Sequence, residues 1–254
     1  MDLEERRRLA DSNVVAAFTL TQGRLRDPRG ETMRYGAVHA VAVGVDIPFF
    51  NPVLALDPES RPQDVLDAIA WVEAKGLPVS VQVWSHVNPE VRAAVEELGL
   101  VAGEWAMPVM MLEPIPPAPS APDGIAIRTG GAELFDDWHT AIQSSERFRR
   151  VLGPALVADP GVRLAVGYLA GVPVSGAAVI RSEQTIGIYS VWTAADARRR
   201  GIGRAVTWAG IDAGRTAWSS AIAVLQSSEM GVPVYRSMGF EEIGSYIEFE
   251  RPKV

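Results

Sequence analysis

Asp196-Ala197-Arg198-Arg199-Arg200-Gly201-Ile202-Gly203-Arg204-Ala205-Val206 is the stretch best equipped for chemistry. A strand-like run, "IYSVWT", precedes it and apolar residues at helical spacing follow. A helix start presents unpaired backbone N–H groups and the positive end of a dipole. Gly201 and Gly203 would let backbone come close to a ligand, and Arg198, Arg199 and Arg200 add fixed positive charge. The combination suits a pyrophosphate. Two other phosphate loops fit badly: the dinucleotide fingerprint needs a glycine where Val206 stands, and Gly-Lys-Ser/Thr is absent. A packing turn with solvated arginines is the plain alternative. A nucleic-acid patch is disfavoured, because the formal net charge is -7 and the pI about 5.1.

Other reactive groups are sparse. The absence of cysteine removes thiolate catalysis, disulfides and zinc-thiolate sites. His39, His86 and His139 are too scattered to read as metal ligands, and Asp136 and Asp137 beside His139 suggest a solvated helix face. No metal is expected. Glu229, just after an apolar strand, is a candidate base or an exposed helix-start carboxylate. Glu146 is a weaker candidate for holding a cationic acceptor.

The elements that would position these groups fall into two halves. "LEPIPPAPSAPDG" (112–124) carries five prolines and can form neither a helix nor a central strand. The expected division is a first domain over 1–113, a linker over 114–124 and a second domain over 125–254. Periodicity in the second gives β-αα-βββ-α-β-α-β. The first starts with a helix over about 3–19 and an irregular "GRLRDPRGE". Strands "AVHAVAVGV" and "PVLAL" follow, then helix "RPQDVLDAIAWVEAKG", strand "LPVSVQVWS", helix "NPEVRAAVEELG" and strand "AMPVMML". A shift of 140 places Leu98-Gly99-Leu100 on Met238-Gly239-Phe240, 62–76 on 202–216 and Asn88 on Ser228, as a tandem duplication would.

Arg198-Arg199-Arg200-Gly201-Ile202-Gly203 and the distant "SEMGVPVYRSMGF" together resemble the GNAT superfamily of acyl-CoA-dependent N-acyltransferases, whose element order also matches 125–250. The resemblance is strong in the second half and weak in the first. It implies an α/β (α+β) fold of two GNAT-like domains, each a mixed central sheet flanked by helices. It further implies that backbone groups of Val191 and Thr193 hold the pantetheine arm of acetyl-CoA. The amides from Arg199 to Arg204, including Gly201, Ile202 and Gly203, would hold its pyrophosphate, with Arg198 heading the motif. Tyr235 would lie near the sulfur as general acid. Ser228 stands where the family usually has Asn, and Ala195 where it has Pro.

In the first half "PESRPQ" (58–63) replaces the phosphate loop, with Glu59 adding negative charge and Pro62 deleting a donor; Val95 replaces the tyrosine. That half is expected not to bind CoA in the usual way. The implied activity is acetyl transfer from acetyl-CoA to a primary amine, preferably of a small molecule, by direct attack. Alternatives are a peptide or protein acceptor, and a non-catalytic acyl-CoA sensor. No apolar run spans a bilayer and the N-terminus lacks a signal-peptide core, so a cytoplasmic protein without membrane or nucleic-acid partners is expected. Self-association is left open.

Overall fold

In the computed structural model, residues 1–24, 30–85 and 88–252 are described. The first half contains α1 (Leu3–Arg24), β1 (Glu31–Tyr35), β2 (Val38–Ala42), β3 (Pro52–Ala55), α2 (Pro62–Glu73), β4 (Ser80–Trp84), α3 (Pro89–Glu97), β5 (Val101–Ala102) and β6 (Met107–Leu112). The second contains β7 (Ile125–Gly130), α4 (Phe135–Ala141), α5 (Glu146–Val151), α6 (Pro154–Val157), β8 (Val162–Leu169), β9 (Val172–Ser182), β10 (Thr185–Thr193), α7 (Ile202–Trp218), β11 (Ile222–Gln226), α8 (Val232–Ser237) and β12 (Glu241–Glu250). The mixed α/β expectation holds. The two helical pieces expected before β8 are three, because Gly153-Pro154 separates α5 from α6. Strands β1 and β5 were not foreseen. Most of "GRLRDPRGE" and His86 lie outside the described residues.

All strands join one sheet in the order β1-β2-β3-β4-β12-β6-β11-β10-β9-β8-β7, with β5 also paired to β12. The last strand of each half has crossed over. β6 pairs with β11 of the second half, and β12 pairs with β4 of the first, both antiparallel. β6 and β12 then pair with each other. β3 and β4 are parallel, as are β10 and β11. Following the pairings across the centre, β10 runs opposite to β3, so the two strand–loop–helix junctions open at opposite ends of the sheet.

Helices cover both faces. α1 and α4–α6 pack on one, around Leu9, Val14, Trp138, Leu164, Val224 and Tyr246. On the other face, α2 and α3 cover the first half, around Val65, Ile69 and Val91, and α7 and α8 cover the second, around Trp208, Ile211 and Tyr235. α1 crosses from one half to the other. Near its start the Arg7 Nε donates to Ile243 O (2.8 Å), and further along the fully buried Asn13 donates to Ile180 O (3.2 Å) and Thr185 Oγ1 (2.9 Å). A buried amide left without partners would cost about 1–3 kcal/mol, so these bonds fix the register of α1 on the sheet. No helix among the described residues is long and apolar enough to cross a membrane.

Candidate active site

The site begins where two parallel strands part. β10 pairs with β11 from Thr185↔Ile222 to Ile188↔Leu225, and then continues to Thr193 paired with β9 alone. Its register with β9 slips by one residue between Tyr189 and Trp192, and Ser190 takes a positive φ of 52°. Such a bulge bends a strand and redirects its peptide groups. The Ala194 N–H donates to Val174 O on β9 (2.8 Å), so by strand alternation the backbone of Val191 and Thr193 faces the opening. Thr193 O is not vacant, however: it accepts from Arg198 Nε at 3.0 Å.

Past β10 a short 3-10 turn (Ala195–Ala197) leads to Arg199 and Gly201, both at positive φ (60° and 75°). Gly201 stands at the cap position of α7, with no side chain capping the helix. The first bond into α7 is Ala205 N–H to Gly201 O (3.0 Å), and among the described residues the amides of Ile202, Gly203 and Arg204 have no backbone partner. A Cβ on Gly203 would lie 2.9 Å from Thr193 Oγ1, so this glycine is needed for close helix–strand approach. Arg199, Arg200 and Arg204 are exposed. Arg198 is committed elsewhere, its guanidinium 5.0 Å above the Trp192 ring while Nε holds Thr193 O. The result is a row of free amides at a helix start with three arginines around it, an arrangement that favours an anion.

Tyr235 lies on α8, on the same face as α7 and 9% exposed. Its ring meets Phe240 edge-on at 5.8 Å, and its hydroxyl has no hydrogen-bond partner among the described residues. Burial pushes the phenol up to about 12, so it carries its proton at neutral pH. Ser228 and Glu229 are exposed in the turn after β11, which is closed by the Gly231 and Val232 amides donating to Ser228 O (2.9 and 3.2 Å).

These residues occupy the end of the β10–β11 opening and the helix face behind it. A sequence model for an acetyltransferase (GNAT) domain matches residues 127–251. The C-terminal half is a GNAT acetyltransferase domain. Among solved structures, the chain is similar to a GCN5-related N-acetyltransferase from Kribbella flavida, with a TM-score of 0.73, 20% identity and 96% of each chain covered. A tandem GNAT protein from the clavulanic acid biosynthesis pathway gives a TM-score of 0.62 at 12% identity, covering 93% of this chain and 88% of that one. A GCN5-related N-acetyltransferase from Sphaerobacter thermophilus gives 0.58 at 20% identity, covering 86% and 78%. At these identities the likeness is one of fold. None of the curated protein sequences matches the chain.

Three residues lie away from the GNAT opening or differ from expectation. His139 was expected on a solvated face; instead it is 2% exposed. Its Nε2 donates to Leu152 O (2.9 Å), which leaves Nδ1 to accept from the Ser144 hydroxyl (2.6 Å). Burial holds its pKa below the usual value, so it is a neutral structural link between α4 and the two ends of α5. The neighbouring aspartates misled because a helix turns 100° per residue, and Asp136 and Asp137 face solvent where His139 faces the core. Glu146 is exposed at the start of α5. His39 belongs to β2 in the other half, and among the described residues no three His, Cys, Asp or Glu could together hold a metal ion.

A groove of about 1650 Å³ lies elsewhere, along α1, lined by first-half residues such as His39 and Asp57 and by Arg181 and Glu183 of the second half. Asp11 lines it, accepting from Tyr246 OH (2.5 Å) and Trp84 Nε1 (3.2 Å). Burial, partly offset by these bonds, raises Asp11 to about 7. Neither the bulge at Ser190 nor the environment of Asp11 has a local sequence signature; both arise from strand pairing.

Proposed function

We propose that the protein is an N-acetyltransferase that moves the acetyl group of acetyl-CoA to a primary amine of a small molecule by direct attack. What carries this reading is the end of β10, open on the side that β11 has left, running into uncapped, arginine-flanked α7. Val191 and the Thr193 N–H would take the pantetheine as an added strand. The amides of Ile202, Gly203 and Arg204, with Arg199, Arg200 and Gly201, would hold the pyrophosphate, and the Ser228 hydroxyl would steady the arm. Bound acetyl-CoA supplies an activated thioester; the chain's part is to hold it, orient the amine and move protons. A backbone N–H of the bulged segment near Val191 would stabilise the developing oxyanion. Tyr235, kept protonated by burial, would give its proton to the departing thiolate, and the exposed Glu229 would take the proton of the amine through solvent. Holding amine and thioester together supplies much of the acceleration.

The test is thiol release from acetyl-CoA with a panel of small amines, alongside direct binding of acetyl-CoA. Turnover with amine-dependent thiol release supports the reading. Tight binding without turnover for any amine would favour an acyl-CoA sensor, turnover only with peptides would move the acceptor class, and no binding would sink the acyl-transfer reading.

A further inference from the structure

The exchange of final strands gives the first half a physical part in the second half's cleft. β6 lies beside β11, with Val109 opposite Gln226 and the Ser227 N–H bonded to Pro108 O (2.9 Å). The chain just before β6 therefore lies against the turn that carries Ser228 and Glu229. Trp105, 42% exposed, anchors there through its indole N–H to Ser227 O (3.4 Å). Met107 packs on the α1 face of the sheet.

A second segment of the first half reaches the same end. Residues 43–50, between β2 and β3, are gathered by the fully buried Asn51, which accepts from Val43 N–H (3.0 Å) and donates to Val45 O (2.8 Å) and Ile47 O (3.0 Å). This loop docks on α5: Arg147 Nη1 donates to Asp46 O (2.9 Å), and the Phe50 and Phe148 rings meet edge-on at 5.4 Å. It lies on the α1 face, opposite the face that carries α7 and Tyr235.

Gln226 lies beside the first of these segments, opposite Val109 and next to the Ser227 that Trp105 holds. Val224 belongs to the core under α1, and Ala223 and Leu225 to the core under α7, so alternation turns Gln226 to the α1 face. It stands just past the last β10–β11 pair, where the strands part. Its Nε2 is buried and has no hydrogen-bond partner among the described residues. A buried donor left unpaired is costly, and one at the head of a cleft is explained if a ligand oxygen completes it.

Resting on the acetyl-transfer reading, we infer that the first half completes the acceptor site, Trp105 and Met107 walling it while the Gln226 amide donates to an oxygen of the acceptor. The preferred acceptor is then an amine bearing a hydrogen-bond-accepting oxygen near the nitrogen, such as an α-amino amide, ester or carboxylate, in preference to a plain alkylamine of the same length. A site built around a donor discriminates against an analogue that leaves it unpaired.

The experiment compares kcat/KM for matched pairs of amines, with and without that oxygen, in the full-length protein. The native chain should favour the oxygen-bearing member by at least about tenfold. Gln226→Met, of similar length and without the orphan donor, should erase the preference while acetyl-CoA affinity and melting temperature hold; Gln226→Glu should reverse it. Trp105→Ala should raise KM for the amine with acetyl-CoA affinity unchanged. Equal kcat/KM within pairs for the native chain, or a preference that survives Gln226→Met, would overturn the inference, as would acetyl-CoA binding with turnover of neither member of any pair. Failure to bind acetyl-CoA is the separate result that removes the reading beneath it.

Discussion

The starts of α7 and α2 occupy corresponding places in the two halves, yet they offer an anion opposite surroundings. Before α7 the chain passes through Arg199 and Gly201 at positive φ and leaves the amides of Ile202, Gly203 and Arg204 free. Before α2 the chain answers its own donors: Asp57 takes the Glu59 N–H on Oδ1 (2.7 Å) and the Ser60 N–H on its carbonyl (3.0 Å). Pro62 removes another amide, and Arg61 is tied to Asp64 through Nε (2.9 Å) and Nη2 (3.2 Å). The turn at Gly36 closes over this helix start, where a Cβ would fall 2.5 Å from Asp64 Oδ2. The strands differ too, since β3 ends with its pairing at Ala55 while β10 outruns β11. An anion site at a helix start therefore requires more than the dipole: the amides must be vacant and the approach open.

The sharpest way to break the comparison is Gly203→Glu, which puts bulk against Thr193 Oγ1 and negative charge among the amides. Acetyl-CoA affinity measured by calorimetry should fall by at least about a hundredfold, as expected for losing an anion's hydrogen bonds and adding like charge. Retained binding at one equivalent would relocate the site to the first half. Tyr235→Phe comes next: kcat should drop about 100-fold, within the range for a lost general acid, with acetyl-CoA affinity held. Full activity would remove the phenol from the mechanism.

The third prediction concerns Asp11, beside the groove along α1. Burial holds its folded pKa at about 7, above the ordinary carboxyl value of 3.8, so between these values the folded protein holds more protons than the unfolded chain. Stability should therefore be greatest below about pH 4 as far as this group is concerned, and decline as pH rises to about 7, by at most ~1.4 kcal/mol per pH unit. Denaturant midpoints across pH 5–8 should show this slope in the native chain and a flatter one in Asp11→Asn. Parallel slopes would mean that Asp11 titrates normally. The smallest effect is expected from single arginine changes. Arg199→Ala or Arg200→Ala should weaken acetyl-CoA binding a few-fold, the more so at low salt, because these side chains are exposed. Arg61→Ala should leave that binding untouched, and a comparable loss there would erase the difference between the two helix starts.

Local pattern carried most of the element order. The second half's strands and helices, the proline-rich separator and the glycine-arginine loop all have short-range signatures, since periodicity and turn residues act over a few positions. β1 escaped because four of its five residues are exposed and it lacks an apolar face. His139 has no local signature of burial, because its neighbours in sequence, Asp136 and Asp137, are not the Ser144 and Leu152 it meets in space. The bulge at Ser190 could not be seen, for a non-glycine residue at positive φ is imposed by the pairing of β9 with β10 and the departure of β11.

By itself the sequence determined which half carries a helix start with glycines, vacant amides and arginines suited to an anion. Gly201, Gly203 and the arginines are local chemistry, as are Glu59 and Pro62 in the other half. Only the tertiary structure decided that the halves are not independent. The pairing of β6 with β11 and of β12 with β4 joins segments more than a hundred residues apart, and the apolar alternation of either strand would suit its own half equally well. That choice, made by packing across the whole sheet, sets Trp105 of one half beside Gln226 and Ser227 of the other.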